Sequence, residues 1–398
     1  MILARRYYWV IYLKITDIKT VMVTVPFHEP VTMWYGKRSA SIHPVTFIET
    51  DEGVTGVNTE GDQHIIMNTI RPKLIGKDPF NIEKIEAQLG GGIRGRWEIP
   101  TKTMSAIDGA LWDIIGKSCG KPLYKLWGGK VNERVHVRYW LCCKSPEEQA
   151  AEAVRAVERG WKAFKIKLGT DPRKDLERVR AVRDAVGYGV QLCFDINGGY
   201  PMAIAINSLK KMAKYEPAYV EDPVPNYWPF DSGSLEAMAD IRKITGIPIE
   251  AHSHGPNCLE FVRLVVEKRA ADAIHLNVSF TGGVLETKRV CAVAEAGGLI
   301  VTGQSSAAEL GPRNALLLHL ITSERAFKGT NDSSTHHLTG DIIKKEFKTI
   351  EGTLEVPEGS GLGIELDERK LKKYNEIYES GIFQHELGIG REDAYLWS

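Results

Sequence analysis

The spacing of apolar residues along the chain changes twice. From Lys14 to Glu60 apolar and polar positions alternate, as in Ile15-Thr-Asp-Ile-Lys-Thr-Val-Met-Val-Thr-Val25 and Pro44-Val-Thr-Phe-Ile-Glu-Thr50, and a period of two predicts half-buried strands. Asp51-Glu-Gly53 supplies a hairpin turn after the second. From His64 to Lys117 the period becomes helical: Met104, Ile107, Leu111 and Ile114 recur at spacings of three and four, the stripe of a buried helix. Gly128-Gly129 breaks that pattern and marks a boundary.

After Val131 short apolar runs alternate with amphipathic stretches. Strands are expected over 135–140, 163–167, 191–195, 218–221, 247–251, 273–278 and 299–302, with helices such as 146–159, 174–185, 202–215 and 258–268 between them. Repeated strand-helix units build a parallel sheet, and seven or eight of them close into a barrel. Turn-rich and β-like sequence then returns over 347–366, followed by a short helix over 368–380. The expected division is an extension over 1–13, a capping domain over 14–129, a barrel over 130–325, and a segment over 326–398 that packs back on the capping domain.

Composition narrows the partners. The 398 residues balance 51 Lys+Arg against 51 Asp+Glu, so no net field attracts nucleic acid or an anionic membrane, and a small substrate is expected instead. The basic pair and apolar run within the first thirteen residues are too short to span a bilayer and lack a small-residue cleavage site. The 6 cysteines show no CxxC spacing, which suits free thiols in a reducing compartment, and a cytoplasmic location follows.

Candidate chemistry gathers where the expected strands end. In Trp161-Lys-Ala-Phe-Lys-Ile-Lys-Leu-Gly169 a strand would point Lys165 and Lys167 to one face, where like charges lower each other's pKa and a neutral lysine can act as a base. The alternative is a pair of lysines on a solvated strand. Asp195 and Glu221 close the next two strands, one strand-helix-strand unit apart, and their hard oxygens suit Mg²⁺. The following strand, Ile247-Pro-Ile-Glu-Ala-His-Ser-His254, offers Glu250 as its carboxylate, with His252 on the same face nearer the end and His254 in the rim loop. Earlier in the chain, Val31-Thr-Met-Trp-Tyr-Gly-Lys-Arg-Ser39 places Trp34 and Arg38 beside a glycine, which suits either a loop closing over an anionic ligand or a plain surface loop.

In order and spacing, Ala106-Ile-Asp-Gly-Ala-Leu-Trp-Asp-Ile-Ile-Gly-Lys117, Lys165-x-Lys167, Asp195-x-Asn197, Glu221-Asp-Pro223, Gly282-Gly283 and Gly361-Leu-Gly-Ile-Glu365 resemble the enolase superfamily, in its muconate-lactonizing and mandelate-racemase-like branch. The resemblance implies an α/β fold, a (β/α)₇β modified TIM barrel with an α+β N-terminal capping domain completed by the C-terminal segment. It implies Mg²⁺ held by carboxylates of three successive strands, a carboxylate substrate deprotonated at its α-carbon, and a homo-oligomer. Carried over by position, Lys167 is the base, Lys165 its neighbour, and Asp195 and Glu221 metal ligands. Trp34, Arg38, Trp140, Asn197, Gln304 and Glu309 fall to substrate binding.

Two positions depart from the pattern. Aligned on Ile247-Pro248, His252 or Ser253 stands where relatives carry the third carboxylate, and Glu250 lies two residues early; Glu250 is taken as the third ligand, with His252 as ligand or acid and His254 as an acid. Asn277 occupies a catalytic position where the lactonizing branch has a second lysine and the racemase branch an aspartate supporting a histidine. The expected activity is therefore a Mg²⁺-dependent dehydratase of a hydroxy-acid or sugar acid. The alternatives are a cycloisomerase, a racemase or epimerase, and a barrel without activity that serves as a binding module.

Overall fold

The computed structural model describes residues 13–90, 99–226, 232–253, 255, 257–304 and 309–383. Of the extension expected over 1–13 only Leu13 is among the described residues. Strands β1 (Ile15–Met33) and β2 (Gly36–Thr50) form one long antiparallel hairpin, and β3 (Thr55–Thr59) pairs with β2. The loop expected over 31–39 is the far end of this hairpin: Met33 pairs with Gly36, leaving Trp34 and Tyr35 as the turn. Val31 and Met33, two apart, are both buried, so the strand period runs on through the segment.

The helix Thr101–Ser118 buries the expected stripe of Met104, Ile107, Leu111 and Ile114 against Ile18, Ile48, Ile66 and Ile70. Farther along the hairpin, Val23, Val25, Val31 and Met33 join the core of the barrel. One pair of strands thus crosses from one core to the other, which carries the hairpin tip to the barrel.

Strands β4 (Val135–Leu141), β5 (Ala163–Lys167), β6 (Gln191–Asp195), β7 (Tyr219–Glu221), β8 (Ile249–His252), β9 (Ala273–Leu276), β10 (Ile300–Gly303) and β11 (Asn331–Ser333) make a parallel sheet in the order β10-β9-β8-β7-β6-β5-β4-β11. Between β10 and β11 the barrel is drawn together by Gly303 N–H donating to Asn331 Oδ1 at 2.7 Å and by a bridge from Val301 to Phe327. Helices Pro146–Glu158, Pro172–Val186, Met202–Met212, Ser232–Thr245, Cys258–Lys268, Val284–Ala296 and Gly311–Ser323 follow strands β4 to β10 in turn, giving the (β/α)₇β arrangement. Local chemistry sets their starts: Ser145 and Glu148 form a capping box and Asp171 caps the helix opened by Pro172.

The eighth strand lies beyond residue 325, where the sequence pattern had placed the end of the barrel. Asn331-Asp-Ser333 has no apolar residue, and it is a strand because Asp332, the partner of Arg138 in the register with β4, is neutralised inside the barrel. Within the turn-rich, β-like stretch over 347–366 the strand is the short β12 (Thr353–Leu354), antiparallel to β4. Helix Glu368–Glu379, capped by Asp367, returns to β1, where Asn375 Nδ2 donates to the Met22 carbonyl at 2.9 Å. Among the described residues no helix is long and apolar enough to cross a membrane.

The seam between the helix Thr101–Ser118 and the barrel holds a charge that responds to pH. Asp108 accepts the Val284 N–H at 2.7 Å, and only glycine fits beside it, since a Cβ on Gly283 would lie 2.7 Å from Asp108 Cγ. Burial pushes the carboxyls of Asp108 and Glu86 up to about 7 and about 9, and the Asp108 charge adds to the rise at Glu86. Both groups hold a proton more tightly folded than unfolded, so their contribution is complete below the ordinary carboxyl range and is lost as pH rises through those values. The thermal midpoint is expected to fall between pH 6 and pH 9 through this pair. Glu86→Gln should flatten that slope in differential scanning fluorimetry; an unchanged slope removes the pair as its source.

Candidate active site

Parallel barrel strands are buried on both faces, so an inward lysine leaves water entirely. Lys165 and Lys167 on β5 are 1% and 4% exposed, which rules out a solvated strand face. The register runs Lys167, Asp195, Glu221, Glu250 across β5 to β8, which brings the strand-end residues expected from sequence into one row. Lys167 Nζ is ion-paired with Asp195 and lies 3.4 Å from Asn197 Oδ1. Lys165 Nζ lies 2.5 Å from Glu221 Oε2 and 2.8 Å from Asp332 Oδ2. Trp140 on β4 packs its ring 4.3 Å from the Lys167 ammonium and 5.6 Å from that of Lys165. Its buried indole N–H has no hydrogen-bond partner among the described residues, and so remains available to an acceptor on a ligand.

The two lysines do not lower each other's pKa as the sequence pattern had suggested. Burial and the Arg138 charge push Lys165 down, but the surrounding carboxylates, Asp332, Glu221 and Asp195 among them, together outweigh them; burial pushes Lys167 down, but Asp195 and Glu221 outweigh it. Both pKa values end above the ordinary lysine range. Each ammonium has its own carboxylate, and opposite charge at contact distance dominates over a like charge farther away.

Beside this row lies a buried network that sequence reasoning missed. Arg138, fully buried on β4, donates from Nε to Asp332 Oδ1 at 2.6 Å and from Nη2 to Glu250 Oε2 at 2.8 Å. Thr302 donates its hydroxyl to Glu250 Oε1 at 2.6 Å. Both oxygens of Glu250, the expected third ligand, are thus engaged. Burial raises the Glu250 pKa, but Arg138, His275, Lys165 and the Thr302 hydroxyl together more than offset it and the group is held at about 2. His275 lies 2.9 Å from Asp332 and 2.6 Å from Thr302, a satisfied interior histidine. Arg138 stands two residues before Trp140 and shares its face, so strand phase was the available signal; Asp332 had none.

His252 follows Glu250 by two positions, on the same face of β8. Its ring, Glu221 and Asp222 present ligand atoms all within 4.8 Å of one another. Asp222, also missed, has φ +39, a left-handed conformation that few non-glycine residues adopt. His254 lies outside the described residues.

The far side of the barrel mouth is different in kind. Asn277 Nδ2 donates to Gln304 Oε1 at 2.9 Å and lies 3.4 Å from Glu309 Oε1. Buried Arg313 donates to Asn277 Oδ1 at 2.7 Å and lies 3.4 Å from Glu60 of the capping region, which fixes this wall. From the hairpin tip Trp34 Nε1 donates to the Asn197 carbonyl at 3.1 Å. Gly169 permits this approach, because a Cβ there would lie 2.8 Å from the Trp34 ring. Arg38 is exposed on β2 and joins none of these contacts.

The donor set suits a divalent cation. Asp195, Glu221, Asp222, Glu250 and Asp332 are five buried carboxylates against three buried cations, Arg138, Lys165 and Lys167, a formal surplus of two negative charges. Uncompensated charge in a low-dielectric interior is costly, and a hard divalent ion removes the surplus.

Fold and site together describe a barrel enzyme whose lysines and carboxylates converge at the C-terminal strand ends. Residues 15–128 match the family model described as mandelate racemase / muconate lactonizing enzyme, N-terminal domain, and residues 148–370 that described as enolase C-terminal domain-like. The chain belongs to this mandelate racemase/muconate lactonizing family of the enolase superfamily, and is a lyase or isomerase. It is 29% identical over 374 residues, 91% of this chain and 98% of the relative, to an N-succinyl-L-Arg/Lys racemase of Bacillus cereus. It is 27% identical to an arabinonate dehydratase of Saccharolobus solfataricus, over 83% of this chain and 91% of that one. A crystal structure of a dipeptide epimerase from Enterococcus faecalis, complexed with Mg and a dipeptide, superposes with a TM-score of 0.79 at 26% identity, covering 88% of this chain and 99% of that chain.

Proposed function

We propose that the protein is a Mg²⁺-dependent dehydratase of a hydroxy-carboxylate, of which a sugar acid is the type, with Lys167 as its base. The observation that carries this reading is the asymmetry of the mouth. Lys167 stands on one wall, in register with Asp195 and Glu221, and the opposite wall offers the amides Asn277 and Gln304, which accept no proton at neutral pH. Asp195 and Glu221 would hold the ion, whose positive charge would neutralise them, attract the substrate carboxylate and let the Lys167 ammonium deprotonate.

From there the chain's own groups suffice. The Lys167 amine takes the α-proton, and as an ammonium on the same face returns it to the departing β-hydroxyl, so that water leaves and the resulting enol becomes a keto acid. Lys165, held between Glu221 and Asp332, keeps a positive charge beside the acid group. Trp140 covers both ammonium groups and Trp34 reaches the mouth, and each keeps water away from the reacting carbon. Relatives named dehydratase lend support. The relatives named racemase and epimerase make inversion the competing reading, which needs a proton acceptor on each face.

The test is a panel of acid sugars, lactones and amino-acid derivatives incubated with Mg²⁺ in deuterated water. Keto-acid formation from a hydroxy-acid is expected, with a loss of about 10²–10⁴-fold in Lys167→Ala. Inversion at the α-carbon, or exchange that survives the loss of Lys167, would overturn the one-sided mechanism.

A further inference from the structure

We propose that an imidazole nitrogen of His252, beside Asp222, completes the divalent-cation site in place of Glu250, so that the site favours Mn²⁺ or Co²⁺ over Mg²⁺. The inference rests on the reading that Asp195 and Glu221 hold a cation, and it concerns the remaining donors.

Three observations meet here. First, the ligand atoms of Glu221, Asp222 and His252 lie within 4.8 Å of one another, a spacing that one ion can span, and all three residues are at most 2% exposed. Second, Glu250 is committed elsewhere. Arg138 Nη2 at 2.8 Å takes one of its oxygens and the Thr302 hydroxyl at 2.6 Å the other, and turning it to an ion would leave the Arg138 guanidinium short of a partner in the barrel interior. Third, the backbone around His252 is fastened by the groups that flank the site. Asp222 Oδ1 accepts the His252 N–H at 3.0 Å, and Asn226 Nδ2 donates to the His252 carbonyl at 3.1 Å while lying 3.4 Å from Asp222 Oδ1.

The left-handed turn at Asp222 explains how consecutive residues can serve one ion. In an extended strand Glu221 and Asp222 would point to opposite faces. With φ at +39 the chain leaves the strand at Asp222, and its carboxylate comes round to the side of Glu221 and His252. Strain of this kind persists where the surroundings demand it, and here Asn226 and the His252 amide supply the demand.

Donor chemistry gives the consequence. Mg²⁺ takes oxygen almost exclusively, whereas an imidazole among carboxylates suits the later first-row divalent ions. The decisive measurement is electron spin-echo envelope modulation of the full-length protein loaded with Mn²⁺, which detects a directly bound ¹⁴N without any assay of turnover. The parent should show that coupling, and His252→Asp should lose it while retaining a cation. Calorimetry on the same pair should show the ratio of Mn²⁺ to Mg²⁺ affinity falling by about tenfold in His252→Asp, as an oxygen donor replaces nitrogen. Mn²⁺ bound in the parent without ¹⁴N coupling overturns the assignment of His252 and leaves the proposed function standing. Coupling that persists in His252→Asp also overturns it. Failure of the parent to bind any divalent cation overturns the proposed function, and this inference with it.

Discussion

Arg138→Leu is expected to lower the stability of the barrel by about 3–5 kcal/mol, because it leaves charge buried without a partner. Arg138 is the bridge between β8 and β11, 2.8 Å from Glu250 on one side and 2.6 Å from Asp332 on the other, and it is fully buried. Asp332 would keep Lys165 at 2.8 Å, whereas Glu250 would lose the cation in contact with it and keep the Thr302 hydroxyl at 2.6 Å and His275 at 3.9 Å. Adding Glu250→Leu to Arg138→Leu should recover part of the loss, since a paired charge is then replaced by apolar volume instead of being broken. Urea titration in the presence of a chelator makes the measurement. A change below about 1 kcal/mol in the single variant, the scale of an exposed ion pair, would show that the network carries little of the stability.

Asp195→Asn and Glu221→Gln are each expected to weaken divalent-cation binding by more than about 100-fold, beyond the range seen when only a group supporting a ligand is lost. Each substitution removes a full negative charge from a buried cluster whose formal surplus is what favours a cation. The two should differ in a second respect. Asp195→Asn also strips Lys167 of its ion-pair partner, so that burial pushes the lysine downward with less opposition, whereas Glu221→Gln takes a partner from Lys165. Calorimetric affinities within about threefold of the parent in both variants, far inside the range of even a supporting group, would sink the assignment of this row as the metal centre.

Several of these residues were legible because strand geometry leaves little freedom. Once 163–167 is a strand, Lys165 and Lys167 must share a face, and once Asp195 and Glu221 end the next strands of a parallel barrel they must line up beside Lys167, as the register shows. The helix stripe of Met104, Ile107, Leu111 and Ile114 was legible for the same reason, since periodicity is a local property of the chain.

What stayed hidden depended on partners distant in sequence. Asn331-Asp-Ser333 reads as a polar turn until Arg138, far earlier in the chain, supplies the charge that lets Asp332 go inside. Glu250 reads as a metal ligand until that same arginine and Thr302 occupy its oxygens. The segment from Val31 to Ser39 reads as a loop until the barrel surface buries Val31 and Met33, and Trp34 finds Asn197 and the gap left by Gly169. The fold class, the barrel and the alignment of Lys167 with Asp195 and Glu221 were thus legible in the sequence alone, because side-chain direction follows from local backbone period. The company each buried charge keeps was decided only by the tertiary structure, because the cost of burying a charge depends on which opposite charge the folded chain brings within a few ångströms.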